Sequence, residues 1–298
     1  MTDCILALDA GGTSVKFGLV FSGGGMVADT VCCETFGNGS RSALEHGFLT
    51  ATQVGASMAQ THHLQITTIG VACPGPFDYF EGTSHMLHKW QGLLNVPLAP
   101  LLHQVLPGVP ICFLHDSTAF MLGEGLCGAA RGFSRPAGVM LGTGLGFACM
   151  EQGRVRIRAD QRPAFFLWNM PFRDGTAEDY ASRKAVRQCY AALSGCASPP
   201  DVHSLAELAA QGNENARTAF REMGEALGDL LGKAKDDVSL DGVVVGGQIA
   251  RAYALILPFA VNKLPFPIVP AEHIADAALL GIERYCTLGR DKTTKEVV

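Results

Sequence analysis

The chain has 298 residues, 48% of them hydrophobic, and a net charge of −5. Length and apolar content suit two folded domains and exclude a disordered or fibrous chain. The mildly acidic balance, with its basic residues scattered, excludes the electrostatic footprint of a nucleic-acid binder.

The amino terminus MTDCILALDA carries no basic region, and Asp9 cuts short its apolar run, so no signal peptide is expected. Ile5 to Val20, ILALDAGGTSVKFGLV, reads as strand, tight turn and returning strand. Gly11 and Gly12 let backbone N–H groups approach an anion, Thr13 adds a hydroxyl and Lys16 a positive charge. Such a turn suits a phosphate. A carboxylate beside a phosphate is repulsive unless a divalent cation lies between them, so Asp9 is expected on the magnesium side, through water. Met26 to Cys33 can form a third strand, and Ser42-x-x-Glu45 reads as a capping box opening a helix with Leu44, Phe48, Ala51 and Met58 on one face.

Ile66 to Cys73 reads as a buried strand feeding the rigid loop Pro74-Gly75-Pro76. Loops at strand ends are where α/β proteins hold ligands, which makes Gly75 and Pro76 substrate candidates. Between Phe77 and Asn95 the polar and aromatic residues Asp78, Tyr79, His85, His88, Lys89 and Trp90 can contact a substrate or form an ordinary surface loop. Asn95 to Leu106 reads as a helix with Pro97 and Pro100 near its first turn. Ile111 to Leu114 forms a strand, and Ser117 opens a helix through Leu126. Asp116, between them, can cap that helix and still face a cleft.

Gly138 to Arg158 repeats the opening pattern: strand, Gly142-Thr143-Gly144 turn, strand, and a third strand starting near Arg154. Two such hairpins, one in each half, point to a duplicated fold clamping a nucleotide. Helices follow from Thr176, with Asp179 three residues on, to Tyr190, from Ser204-x-x-Glu207, and along Phe220, Met223, Leu227 and Leu230 to Lys235. Asp241 to Gln248 is a buried strand ending in Gly246 and Gly247, where a flat ring or ribose can lie against backbone, ahead of a helix from Ile249 to Leu257. The apolar stretch Val243 to Val261 is broken by Gln248, Arg251 and Pro258, so no membrane helix is expected. Pro267 to Pro270 is a last strand and Asp276 to Tyr285 a closing helix. The ten cysteines form no C-x-x-C and mostly lie in apolar surroundings, as small core residues of a reduced, cytoplasmic protein do.

Asp9-x-Gly11-Gly12-Thr13-x-x-Lys16, Pro74-Gly75-Pro76, Asp116 with Gly123-Glu124, Leu141-Gly142-Thr143-Gly144-x-Gly146 and Gly246-Gly247, in this order, resemble the ROK family. That family groups sugar kinases with sugar-responsive repressors inside the actin, hexokinase and Hsp70 superfamily. The resemblance implies an α/β fold of two ribonuclease H-like domains with an interdomain cleft. One domain would take residues 1–114 plus about 275–298, the other 115–274. It implies ATP and Mg2+, phosphoryl transfer to a sugar or polyol hydroxyl, and Asp116 as catalytic base. Gly246, Gly247 and Gln248 would lie on the adenosine side. Dimers are common in the family, so a homodimer is compatible with the resemblance.

The chain departs from the family pattern at the acceptor. His115 stands where family kinases carry Asn. Their Glu-x-Gly-His and zinc-binding cysteines have no counterpart along Phe166-Leu167-Trp168-Asn169-Met170-Pro171, so no structural zinc is expected. A buried Phe166 or Trp168 would reject a hydroxyl that glucose presents. Asn169, Glu178 and Arg173 could supply replacement contacts, although Glu178 and Arg173 also read as solvated groups at a helix start. The identity of the sugar and the phosphate donor stay open. The alternative is a non-catalytic sugar-binding regulator. Against its DNA-binding form, the first hairpin begins within ten residues of the start, where family repressors place a winged helix-turn-helix.

Overall fold

The structure, a computed structural model, describes residues 2–12, 14–34, 39–87 and 89–288. The chain divides into two compact units, one of Met1–Cys127, Arg154–Pro163 and Ala275–Val298, the other of Gly128–Gly153 and Ala164–Ile274. The segment from His115 to Cys127, which the sequence assigns to the second domain, therefore falls in the first unit, as does 154–163.

In the first unit, β1 (Thr2–Ala10) turns back antiparallel into β2 (Ser14–Phe21), and β2 pairs antiparallel with β3 (Val31–Glu34). The expected third strand from Met26 starts five residues late. Gly23, Gly24 and Gly25 all have positive φ, and Met26 keeps only an isolated bridge to Val20. Helix α1 (Arg41–Thr61) is capped by Ser40, whose hydroxyl accepts from Ala43 N, so the expected Ser42 box lies one residue inside the helix. Its face Leu44, Phe48, Ala51 packs into the core of the sheet. β4 (Leu64–Cys73) lies parallel to β1 and β7 (Ile111–His115) parallel to β4, giving the order β3-β2-β1-β4-β7. The two-residue strands β5 (Phe77–Asp78) and β6 (Thr83–Ser84) form a hairpin between them. The helix expected over 95–106 shrinks to α2 (Ala99–Leu102), with Pro100 in its first turn, where proline is tolerated, and Pro97 outside it. α3 (Asp116–Leu126) follows β7 directly.

In the second unit, β8 (Pro136–Leu141) and β9 (Leu145–Glu151) form the second hairpin. The short β10 (Arg154–Val155) comes next in the chain and belongs to the first unit. β11 (Pro171–Phe172) and β12 (Gly175–Thr176) pair antiparallel. Thr176 and Asp179 form the expected capping box, but its helix α4 (Ala177–Tyr180) stops after one turn, and Ser182 caps a separate α5 (Arg183–Ser194). α6 (Val202–Ala210) is capped by Asp201, which accepts from Ser204 N, so Ser204 lies inside the helix. α7 (Glu214–Val238) buries Phe220, Met223, Leu227 and Leu230. β13 (Gly242–Gly246) lies parallel to β8 and to β14 (Ile268–Pro270). Between those strands the expected helix from Ile249 is a 3-10 turn over Ile249–Ala252 followed by α8 (Tyr253–Val261).

The chain ends its described part in α9 (Ala277–Leu288), which packs on α3 at backbone distance. A Cβ on Gly123 would collide with the Ala277 backbone, and one on Gly281 with Ala119 O. Gly281→Ala is therefore expected to destabilise the protein by about 1–3 kcal/mol, read as a lowered denaturant midpoint at unchanged slope.

Four of the ten cysteines, Cys4, Cys73, Cys149 and Cys286, are buried and Cys32 is exposed, so fewer are core residues than their apolar surroundings suggest. No helix among the described residues is long and apolar enough to cross a membrane.

Candidate active site

The first glycine turn is held from two sides. Gly11 N donates to Ser14 O at 2.9 Å, closing the hairpin, and Trp90 Nε1 donates to Gly11 O at 3.2 Å. Trp90 is fully buried, edge-on to Phe48 with centroids 5.4 Å apart. Within the loop where sequence reading allows a substrate contact, Trp90 is instead a core residue that fixes the backbone of the turn. Lys89, its neighbour, lays its stem on Gly12: a Cβ there would lie 3.2 Å from the lysine Cδ. Thr13 and His88 lie outside the described residues.

Asp9, at the end of β1, stands directly opposite Lys16 on β2, with Asp9 Oδ2 and Lys16 Nζ 4.0 Å apart. Burial pushes the Asp9 carboxyl up to about 6, against the pull of Lys16 and with the repulsion of Asp116. Asp116 is set by the β7-to-α3 junction. Its Oδ1 accepts from Ser117 N at 2.7 Å and lies 2.9 Å from His115 Nδ1. His115 is the N-cap residue of α3, and its Nδ1 also lies 3.2 Å from Ser117 N and 2.8 Å from Ser117 Oγ. Burial raises the Asp116 pKa. The charge and hydrogen bond of His115, the charge of Lys89 and the Ser117 N–H outweigh it, and the carboxyl sits below its ordinary range. Two carboxyls in one unit are thus driven in opposite directions, and each keeps solvent access, 22% for the Asp9 side chain and 27% for Asp116.

Gly75 lies beside this pair: a Cβ there would be 3.7 Å from Tyr79 Oη and 4.0 Å from His115 Nε2. Tyr79 donates to Cys73 O at 3.2 Å and its ring centroid is 6.0 Å from that of His115. Pro76 O accepts from His85 N at 3.0 Å. Of the expected residues, Asp9, Gly11, Gly12, Lys16, Gly75, Pro76, His115 and Asp116 all fall in the first unit. They line the carboxyl ends of β1, β4 and β7 and the hairpin from β1 into β2. The sequence did not reveal Lys89 or Trp90 as parts of the turn, because their partners are more than seventy residues away in the chain.

Asp9 fits a magnesium ion of the kind that takes one or two carboxylates and completes its shell with phosphate oxygens and water. Burial of this partly exposed carboxyl penalises its ionised form, and a cation relieves that cost. Among the described residues no group of three or more His, Cys, Asp or Glu side chains could cage a metal. A raised carboxyl favours the folded state below the ordinary value of 3.8, and that contribution is lost as pH rises through about 6. Asp9→Asn is therefore expected to be more stable than the metal-free wild type above that pH, the gap closing on acidification. Magnesium should raise the wild-type melting temperature only on the alkaline side, which calorimetry at graded pH reads directly.

In the second unit, Gly142 N donates to Gly144 O at 3.1 Å, so this turn is tighter than the first. Arg183 N, the first residue of α5, donates to Gly142 O at 2.8 Å, which brings the positive end of that helix to the turn. Thr143, Arg183, Lys184, Arg187 and Gln188 line a cavity of about 430 Å³ with a basic rim, as an anion requires. Glu178 Oε2 accepts from Leu145 N at 2.9 Å and rests against Gly144. It is therefore a strut of the turn, not a solvated group at a helix start. Gly247, with φ +87°, has no room for a Cβ against the Leu141 backbone, so it lets β13 approach the residue before Gly142. Gly246 ends β13 and Gln248 precedes the 3-10 turn. Asn169 is exposed, and Trp168 is 46% exposed, not the buried wall expected from its type. Arg173 is held over the rings of Phe172 and Tyr180.

The family model described as ROK family matches residues 5–159, more than half of the chain. A glucokinase of Thermotoga maritima is 24% identical over 93% of this chain and 95% of its own. The DNA-binding transcriptional repressor Mlc of Escherichia coli is 22% identical over 71% of this chain, which spans only 56% of that repressor. Among solved structures, a ROK family glucokinase from Streptomyces griseus in complex with glucose and AMPPNP superposes with a TM-score of 0.78. It shares 21% identity over 95% of this chain and 98% of its own.

Proposed function

Because the chain belongs to the ROK family, we propose that it is a carbohydrate kinase. It moves the terminal phosphoryl group of a nucleoside triphosphate, ATP in the first place, to a hydroxyl of a sugar or sugar-like polyol. The observation that carries this reading is Asp116: a carboxylate at a strand end, ionised well below neutral pH, beside a second carboxyl suited to a cation. The glucokinase similarity and the AMPPNP-bound neighbour support the same reaction class.

Phosphoryl transfer asks a protein mainly for positioning and charge neutralisation. Asp116 accepts the proton of the attacking hydroxyl, and the N–H of Ser117 and the His115 ring keep its carboxylate oriented and charged. Gly11 and Gly12, with Thr13, offer backbone and hydroxyl donors to phosphate oxygens. Asp9 would hold a magnesium ion, paired across the hairpin with Lys16; that ion supplies charge neutralisation for the phosphates. Gly142, Thr143 and Gly144 are assigned to phosphate, Gly246, Gly247 and Gln248 to the adenosine side, and Gly75, Pro76, His115 and Asn169 to the acceptor. Glu178 acts on the second turn through Leu145.

The reading is tested by incubating the protein with ATP, magnesium and a panel of neutral sugars, amino sugars and polyols. At least one acceptor should stimulate ADP release above the acceptor-free rate. A panel without any such acceptor removes the support for a kinase. A second reading, a ligand-binding regulator, draws on the Mlc similarity and on the altered acceptor positions. Sugar binding by calorimetry with no turnover, together with ligand-dependent DNA binding, would favour it.

A further inference from the structure

We propose that Lys89 is a further catalytic residue, whose ammonium contacts the transferring phosphoryl group between the first glycine turn and Asp116; this rests on the kinase reading above. Three observations converge on this one side chain. Its stem lies on the phosphate turn: a Cβ on Gly12 would lie 3.2, 3.3 and 3.7 Å from Lys89 Cδ, Cε and Cγ. Glycine at position 12 therefore makes room for the lysine as well as for an anion. Its charge is felt by Asp116, where it helps hold the carboxylate ionised. Its backbone is fixed, because the next residue, Trp90, is fully buried and donates to Gly11 O at 3.2 Å. Residues 89 and 90 thus grip one turn together, the indole on the carbonyl of Gly11 and the lysine stem on Gly12.

A phosphoryl group leaving that turn for a hydroxyl at Asp116 passes between Gly12, on which the Lys89 stem lies, and the carboxylate that feels its charge. The acceptor oxygen attacks the terminal phosphorus and forms a new P–O bond. The bond from that phosphorus to the bridging oxygen breaks, and its electron pair leaves with the nucleoside diphosphate. The hydroxyl proton goes to the Asp116 carboxylate. Lys89 keeps its own proton throughout and stabilises negative charge on the non-bridging oxygens, as a fixed cation in a low-dielectric site does. No further reactant is needed.

The assignment separates Lys89 from Lys16. Lys16 is paired with Asp9 across the hairpin and neutralises a carboxylate. Lys89 has no ion pair of that kind among those described, and its half-buried position suits a group that meets a ligand.

The test compares wild type, Lys89→Met and Lys89→Arg by calorimetric titration with ADP and with the β,γ-imido analogue of ATP, both with magnesium. Lys89→Met should weaken the imido analogue about tenfold, as loss of one charge-assisted hydrogen bond implies, and leave ADP unchanged. Lys89→Arg should recover most of the difference. With an accepted carbohydrate in hand, Lys89→Met should lower kcat about 10²-fold at an acceptor KM within a few-fold of wild type. Melting curves of the variants should match wild type. Equal effects on ADP and the imido analogue, or none, would overturn the assignment. So would a raised acceptor KM at unchanged kcat. Wild type that binds both nucleotides alongside an unaltered Lys89→Met leaves the kinase reading standing and Lys89 refuted. Wild type that binds neither nucleotide brings down both.

Discussion

Asp116→Asn is expected to lower kcat by about 10²–10⁴-fold while the acceptor KM changes little. The amide keeps the shape of the carboxylate and can still accept from Ser117 N, so α3 and its cap persist. What it loses is the ability to take a proton from the attacking hydroxyl. The pH dependence separates this residue from its neighbour. Asp116 is held below the ordinary carboxylate range by His115, Lys89 and Ser117, so its protonation does not limit activity near neutrality. Asp9, pushed up to about 6, does. Activity should therefore fall as pH drops through about 6, and more magnesium should move that limb to lower pH, because a cation favours the ionised carboxylate. A limb indifferent to magnesium would remove Asp9 from the metal. Full activity in Asp116→Asn would leave Asp9 as the competing base.

Trp90→Ala is expected to cost about 3–5 kcal/mol of stability, the range for emptying a buried aromatic site. The indole is fully buried against Phe48, and its N–H is spent on the carbonyl of Gly11. Trp90→Phe divides the two contributions. It keeps most of the apolar volume, so chemical denaturation should show a loss of about 1–2 kcal/mol from the missing hydrogen bond and the smaller ring. Nucleotide affinity should fall further than this small stability loss suggests, because the freed Gly11 carbonyl no longer fixes the turn and Lys89 loses its anchored neighbour. Equal nucleotide binding by wild type and Trp90→Phe would separate Trp90 from the turn's function.

The two hairpins were legible in the sequence because what defines them is local: apolar flanks, glycines in the turn and, in the first, a cross-strand Asp9 and Lys16 seven residues apart. Asp116 was legible as a junction residue for the same reason, since strand and helix meet at it. Capping positions were read two and three residues late at Ser42 and Ser204, where Ser40 and Asp201 are the better-placed caps. The helix over 95–106 was read with both prolines near its first turn, but only Pro100 lies in the helix, which starts at Ala99 and ends at Leu102. Lys89 and Trp90 were read as substrate contacts or loop groups, and Glu178 as a substrate contact or a solvated group, since the contacts these residues make join distant parts of each unit. Trp168 shows the opposite error: a residue type that is usually buried stands exposed. The part of the first unit proposed to face phosphate is thus written in short motifs. The part proposed to face the acceptor depends on His115, Gly75 and Tyr79 meeting across β4 and β7, which no spacing announces.

Phosphoryl transfer from a nucleoside triphosphate to a carbohydrate hydroxyl, with Asp116 as base, is the proposed reaction. Its most direct measurement uses ATP labelled with oxygen-18 in the terminal phosphoryl group, magnesium, the wild-type protein and a carbohydrate panel, with products read by mass spectrometry. The labelled phosphoryl is expected on a carbohydrate, and is expected to be nearly absent when Asp116→Asn replaces wild type. Label recovered only in free phosphate, or equally on the carbohydrate with Asp116→Asn, would contradict it.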